Sequence, residues 1–333
     1  MMSPPNKPFS KNLLDLDLEQ EAKKITAQIR ATLGKQLKRR GLVVALSGGI
    51  DSSTCLALAV KAIGPERVFG LLMPERHSSD DTLDLSTAVA DTFHVDRAHE
   101  DISGILEALG FYKRYDEAVR QAIPQYDHGW KSKIVIPNAT ETKGFNLFSI
   151  VAQSPDGTIV KERLPLKAYL EIVAATNFKQ RTRKMLEYYH ADRLNYAVTG
   201  TPNRLEYDQG FFVKLGDGAA DIKPIAHLYK TQVYKMAAHL GVPQAICNRA
   251  PTTDTYSMPQ GQDEFYFSLP YDKMDLCLYG KNNGYTPDVV APTVDLTPDQ
   301  VQRVYDDIDT KRTTTRYLHL PAQLIEPVPE IKN

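Results

Sequence analysis

The chain has 333 residues, with 40 Lys and Arg against 41 Asp and Glu, a formal net charge of −1. That balance excludes a broad basic surface for coating duplex nucleic acid, and 42% apolar with 24% charged residues excludes disorder. No apolar run reaches the ~18 residues of a membrane helix, no secretory signal opens the chain, and Cys55, Cys247 and Cys277 form no CxxC pair. The expectation is a soluble, cytoplasmic protein without a nucleic-acid or membrane partner.

Residues 1–11 read as a disordered tail, rich in Pro and polar residues. Leu13, Leu14, Leu16, Ile25, Ile29, Leu33 and Leu37 then recur at near-helical spacing. The basic run Lys38-Arg39-Arg40 reads as a solvated last turn. GLVVAL is a buried strand, SGG a turn, DSSTCLALAVKAI a helix, VFGLLMP a second strand, and a helix follows over about 80–93. This alternation predicts an α/β fold: a doubly wound parallel sheet with flanking helices. An inserted segment over 111–167 carries a β-hairpin, because NLFSIVAQ and TIVKERL flank the turn SPDG. A long helix is expected from about 166 to 190, a strand at LNYAVTGT and a helix over about 229–240. The main domain is set at 12–285, and 286–333 reads as a Pro-rich wrapping segment with one helix near 297–309.

Ser47-Gly48-Gly49-Ile50-Asp51-Ser52-Ser53 carries the chemistry. It joins the end of a buried strand to the start of a helix, where unpaired N–H groups and the positive end of the helix dipole suit a phosphate. The two glycines admit a close backbone approach, and the serines add hydroxyl donors. Asp51 would repel a bare phosphate, so a cation such as Mg²⁺ between them makes sense of it. The loop is neither GxxxxGK[ST] nor GxGxxG.

SGGIDSS resembles the pyrophosphate-binding loop of the N-type ATP pyrophosphatases, the PP-loop superfamily with an adenine nucleotide alpha hydrolase-like, Rossmann-like fold, which implies a parallel sheet of five or so strands. These enzymes cleave ATP to AMP and pyrophosphate. GTPNRLEYDQGFFVKLGDGAADIKPIAHLYKTQVYKMAAHLGVP, NFKQRTRKM (177–185), APTTD (250–254) and MPERHSSDDTLDLSTAVAD together resemble the ammonia-dependent NAD synthetase family. The resemblance implies a ligase that amidates deamido-NAD to NAD through an acyl-adenylate, consuming ATP and ammonia. It implies ATP contacts at Leu46, Ser47, Gly48, Gly49, Ile50, Asp51, Ser52, Ser53, Thr201, Lys230 and Thr252. It implies Mg²⁺ on Asp51 and Glu206, deamido-NAD on Arg181, Lys214 and Asp221, and catalytic roles for Asp51, Lys230 and Asp221. By residue type alone, Lys230 reads as an exposed helix lysine and Glu206 as a surface carboxylate. Asp217 and Asp221 flank one turn and could hold ammonium or the substrate's ribose hydroxyls, and Arg76 is a weaker candidate for the adenylate or pyrophosphate. No histidine has metal-ligand spacing.

About forty residues without a Cys precede the loop, so the expected nitrogen source is ammonia, free or from a separate glutaminase. The family also implies a homodimer. In place of the His-Lys pair that compact members carry near the C-terminus, this chain reads Thr313-Thr314-Thr315-Arg316-Tyr317-Leu318-His319, leaving Arg316 or Lys311-Arg312 to substitute. The alternative reading is an amide-forming PP-loop ligase acting on a different carboxylate. A tRNA-modifying enzyme is disfavoured by the neutral charge, and a non-catalytic nucleotide-binding regulator by the joint presence of Asp51, Glu206, Lys230 and Thr252.

Overall fold

Helix α1 (Leu18–Ala31), N-capped by Asp17, continues as a π-helical turn to Leu37 and leads into strand β1 (Leu42–Leu46). Helix α2 (Ile50–Ile63), β2 (Val68–Leu72), α3 (Asp81–Thr92) and β3 (Asp96–His99) complete the first half. In this computed structural model, residues 7–79, 81–135, 148–249, 255–258, 260–261, 266–267 and 269–331 are described. Helices α4 (Ser103–Ala108) and α5 (Phe111–Arg120) precede an antiparallel sheet of β4 (Lys131–Val135), β5 (Ser149–Gln153) and β6 (Ile159–Arg163). Helix α6 (Leu166–Leu194) returns the chain to β7 (Ala197–Thr199). There follow α7 (Arg204–Gln209), α8 (Lys230–His239), α9 (Gln244–Cys247), α10 (Tyr271–Asn282), α11 (Pro287–Val294) and α12 (Pro298–His319).

The main sheet is parallel, in the order β3-β2-β1-β7, with Leu42 opposite both Val68 and Ala197. The unbroken apolar runs of β1 and β2 follow from burial on both faces. Leu42, Val44 and Leu46 enter one core with α1, α2 and α8, while Val43, Leu71 and Val198 enter a second with α5 and α6. That alternation is the period of two that a strand imposes. Helices therefore cover both faces, as expected.

Several details differ from the sequence reading. The described residues form four parallel strands, and the next candidate shrinks to a single bridge, Thr199 to Ile222. Pro224, two residues on, has no N–H to extend the ladder. The expected hairpin is present as β5 and β6, but β4 pairs with β5 and makes it a three-stranded sheet. Residues 11–14 of the supposed tail boundary form a 3-10 turn whose Leu14 is buried.

The C-terminal segment is more than a wrapping strip. Its helix starts at Pro298, under a Thr297–Gln300 capping box, and runs to His319 before Pro321 forces Leu320 out of the helical region. With α10 and α11 it builds a third core of Leu276, Leu278, Tyr285, Val290, Val301, Val304 and Ile308, which also takes in Leu14 and Leu205. The boundary set at 285 therefore cuts through one packed unit. Lys38, Arg39 and Arg40 are exposed, in keeping with a solvated turn.

Candidate active site

The end of β1 delivers Ser47, and Gly48 turns the chain at φ +67°, a region costly to any residue with a Cβ. A Cβ there would also come within 2.9 Å of Leu85 Cβ. Gly49 starts α2 without a side-chain cap, so the helix's first N–H groups face the open end of the sheet. Ser52 and Ser53 both donate to the Gly49 carbonyl, at 3.1 and 2.8 Å, and stiffen the loop. A cavity of about 630 Å³ opens here. Ser47, Gly49, Ile50, Asp51, Ser52 and Thr201 line it, and Leu46 lines an adjoining recess of about 170 Å³. Ser53 is fully buried and lines neither space. Gly48 also lines neither; its role is the turn.

Asp51 projects from the first turn of α2 between two donors. Its Oδ2 pairs with the Lys230 ammonium, and its Oδ1 accepts from Asn203 Nδ2 at 3.0 Å. Asn203 is also the N-cap of α7. Its Oδ1 accepts from the N–H groups of Leu205 and Glu206, while Glu206 Oε2 accepts the Asn203 N–H at 3.0 Å. This reciprocal capping box fixes Glu206 against the residue that fixes Asp51. Lys230 is 1% exposed and Glu206 9% exposed, so neither is the surface residue that its type suggests. Burial opposes the Lys230 charge, but Asp51 and Glu206 outweigh it and raise its pKa. Asp275 of α10 caps α8 from outside, accepting from Lys230 N–H at 3.2 Å and Thr231 N–H at 2.8 Å. Burial lifts the Asp275 carboxyl to about 6 despite these donors.

The facing wall comes from α6. Arg181 and Arg183 line the cavity, their Nε atoms donating to the carbonyls of Lys214 and Met73. Lys179, 2% exposed, pairs with Glu75 at 2.8 Å and binds the MPERHSS loop to α6. Lys214 lines the cavity too, but its ammonium donates to the carbonyls of Tyr317 and Leu320 at the end of α12. Phe148, Tyr169, Phe211, Phe212 and Tyr266 add aromatic wall.

Two further candidates lie outside both spaces. Asp221 is exposed and lines neither space; the Val198 N–H draws its Oδ2 to the sheet edge at 2.7 Å, and the Tyr188 hydroxyl takes its Oδ1. Its neighbour Asp217 lines both spaces instead. Burial raises the Asp217 carboxyl above its ordinary value, against the Val213 N–H and the Lys184 charge. Arg76 also lies outside, paired with Glu107 at 2.9 Å. Thr252, in APTTD, lies outside the described residues. Asn203 was not singled out from the sequence, although Asn203-Arg204-Leu205-Glu206 is a capping-box pattern. Among the described residues, no three His, Cys, Asp or Glu side chains group as a metal site.

The arrangement offers N–H donors and a lysine for a polyphosphate, two carboxylates for a cation, and an arginine-bearing wall for an anionic acceptor. The NAD synthase family matches residues 21–128 and 125–316. The NH(3)-dependent NAD(+) synthetase of Rhizobium meliloti (strain 1021) is 59% identical over 97% of both chains. Among solved structures, the NMN synthetase of Francisella tularensis superposes with a TM-score of 0.64 at 21% identity, covering 93% of this chain and 99% of that one. The NH3-dependent NAD synthetase of Campylobacter jejuni gives 0.61 at 20% identity, covering 94% and 100%. At these identities the two structures speak for the fold.

Proposed function

Because the chain belongs to the NAD synthase family, we infer that this cavity joins ammonia to the nicotinate carboxylate of deamido-NAD, with ATP as the driving substrate. It is a ligase of NAD biosynthesis, and ATP is bound and consumed in the reaction. The observation that carries the assignment of roles is the run of contacts from Lys230 to Asp51, Asn203 and Glu206, with Lys230, Asp51 and Glu206 lining one cavity with Arg181.

The roles follow from the chemistry of each group. The first-turn N–H groups of α2 and the hydroxyl of Ser47 hold the phosphates of ATP, and Thr201 stands at the rim of β7 beside them. Asp51 and Glu206 are hard oxygen donors on separate elements, locked to each other through Asn203, and they would hold Mg²⁺. Such an ion, when bound, would neutralise charge on the leaving pyrophosphate. Arg181 and Arg183 steer the acceptor's anionic groups. A carboxylate oxygen of deamido-NAD attacks the α-phosphorus, the bond to the β-phosphate bridge breaks, and pyrophosphate leaves with Lys230 beside it. The nitrogen lone pair of ammonia then attacks the acyl carbon. The bond from that carbon to the shared oxygen breaks, and AMP departs with the oxygen. Asp217 takes the proton that the new amide nitrogen sheds, a task its burial suits.

Ammonia arrives free or from a separate glutaminase. The three cysteines are free thiols, which accords with work in the cytoplasm. Among the described residues, no helix is long and apolar enough to cross a membrane. The exposed Leu166, Leu170, Met185 and Tyr189 of α6 support a homodimer packed through that helix, which sedimentation of the purified chain tests. The function itself is tested by incubating the protein with ATP, Mg²⁺, ammonium and deamido-NAD. NAD, AMP and pyrophosphate should appear in equal amounts; ADP and phosphate, or NAD formation without AMP, would refute it.

A further inference from the structure

Lys230 works from the first residue of a helix. The first N–H groups of a helix have no partner within it, and an end that frays would carry the lysine with it. Tyr229 stands in the cap position and lacks the short oxygen-bearing side chain that usually caps. Helix α10 supplies a partner from another part of the chain, and it holds Lys230 at both ends. At the backbone, Asp275 Oδ1 accepts the Lys230 N–H at 3.2 Å. Its Oδ2 accepts the Thr231 N–H at 2.8 Å and the Thr231 hydroxyl at 2.7 Å. At the ammonium, which pairs with Asp51, the ring centroid of Tyr271 lies 5.5 Å from Nζ. Tyr271 and Asp275 are four residues apart, so one face of α10 carries both. Asp275 is fully buried, and burial lifts its carboxyl to about 6. A cap that served the helix alone would not need a carboxylate there, since Ser, Thr or Asn satisfies N–H groups without burying a charge.

We propose that Asp275 and Tyr271 are positioning residues of the reaction above: α10 cradles Lys230 from backbone to ammonium and sets it where pyrophosphate leaves. Neither side chain lines the cavity or its adjoining recess, so each acts through the lysine. The charge on the departing pyrophosphate builds as the bond breaks, and a lysine that is already in place meets it without reorganising. The cradle rests on a packed base, because Met274, Leu276, Cys277 and Leu278, on either side of Asp275, are buried in the third core.

The proposal rests on the assignment of Lys230 to the leaving pyrophosphate, and the test separates the two. Enzyme in excess is mixed with ATP, Mg²⁺ and deamido-NAD, without ammonium, and the single-turnover release of pyrophosphate is timed. The proteins are the wild type, Asp275→Asn, Tyr271→Leu, Lys230→Met, and each of the first two variants combined with Lys230→Met. ATP affinity is measured on the same proteins by calorimetry. Asp275→Asn keeps the size of the side chain but turns an NH₂ toward N–H donors. Release should slow about 10- to 100-fold, the effect of moving a catalytic group by about 1 Å. Tyr271→Leu should slow it about 3- to 10-fold, through loss of the ring face beside the ammonium. ATP affinity should change by less than about 3-fold in both, because the leaving charge develops only in the transition state. If Asp275 acts through Lys230, adding Asp275→Asn to Lys230→Met slows release no further. Wild-type release in Asp275→Asn, or factors that multiply in the combined variant, overturns the role of Asp275. Wild-type release in Tyr271→Leu overturns the part given to the ring. Should Asp275→Asn fail to fold, the combination of Tyr271→Leu with Lys230→Met is read by the same criteria. Full-speed release by Lys230→Met overturns the reading of Lys230 on which the proposal rests.

Discussion

Replacing Asn203 separates two jobs that one side chain performs. Its Oδ1 caps α7, and its Nδ2 holds Asp51 at 3.0 Å. In Asn203→Ala both are lost: the cap is worth about 0.5–2 kcal/mol, and a hydrogen bond to a charged carboxylate about 1.5–3 kcal/mol. Asn203→Ser keeps an acceptor for the α7 N–H groups but is too short to reach Asp51. Urea unfolding should therefore place Asn203→Ser about 1 kcal/mol above Asn203→Ala, the usual value of a cap. Both variants should lose about 10- to 100-fold in kcat/KM for ATP, because Asp51 is then positioned by Lys230 alone. Wild-type kinetics in Asn203→Ser would show that Asn203 serves the helix only. Equal stability of the two variants would show that the capping argument is wrong.

Three further outcomes are expected. Lys230→Met leaves Asp51 without its ammonium and the departing pyrophosphate without its lysine, so single-turnover pyrophosphate release should slow about 10²- to 10³-fold; undiminished release refutes the role. Gly48→Ala forces a Cβ into a +67° backbone and against Leu85, which should cost about 1–3 kcal/mol in urea melts and weaken ATP binding in calorimetry. Burial, reinforced by the Lys179 charge and only partly offset by Glu75, lowers His77 from 6.5 to about 4. The unfolded chain then binds more protons than the folded one between these values, so stability should fall as pH drops from 6.5 to 4. His77→Gln should flatten that fall in melting temperature, and an unchanged slope would contradict it.

The parallel sheet and its loop were legible because their signals are local. The apolar runs Leu42–Leu46 and Val68–Leu72 leave little choice but buried strands, and SGGIDSS sits at a strand-to-helix junction. The strand Asp96–His99 has no such signal, since it lies at the sheet edge with Asp96, Arg97 and His99 exposed. The length of α12 was underestimated because its second half is polar and exposed, while its capping box and Pro321 mark its ends. The placement of site residues was not legible where tertiary contacts decide it. Asp217 and Asp221 look alike in the sequence, and the Val198 N–H settles which one is drawn out of the cavity. Lys230 reads as a surface lysine until α10 and its Asp275 cover it.

The most direct test of the chemistry follows one oxygen atom. Deamido-NAD labelled with ¹⁸O in both carboxylate oxygens is converted with unlabelled ATP and ammonium, and the products are weighed by mass spectrometry. An acyl-adenylate requires one ¹⁸O in AMP, one in the carboxamide of NAD and none in pyrophosphate. AMP free of label, or label in pyrophosphate, would contradict adenylation of the acceptor carboxylate in this cavity.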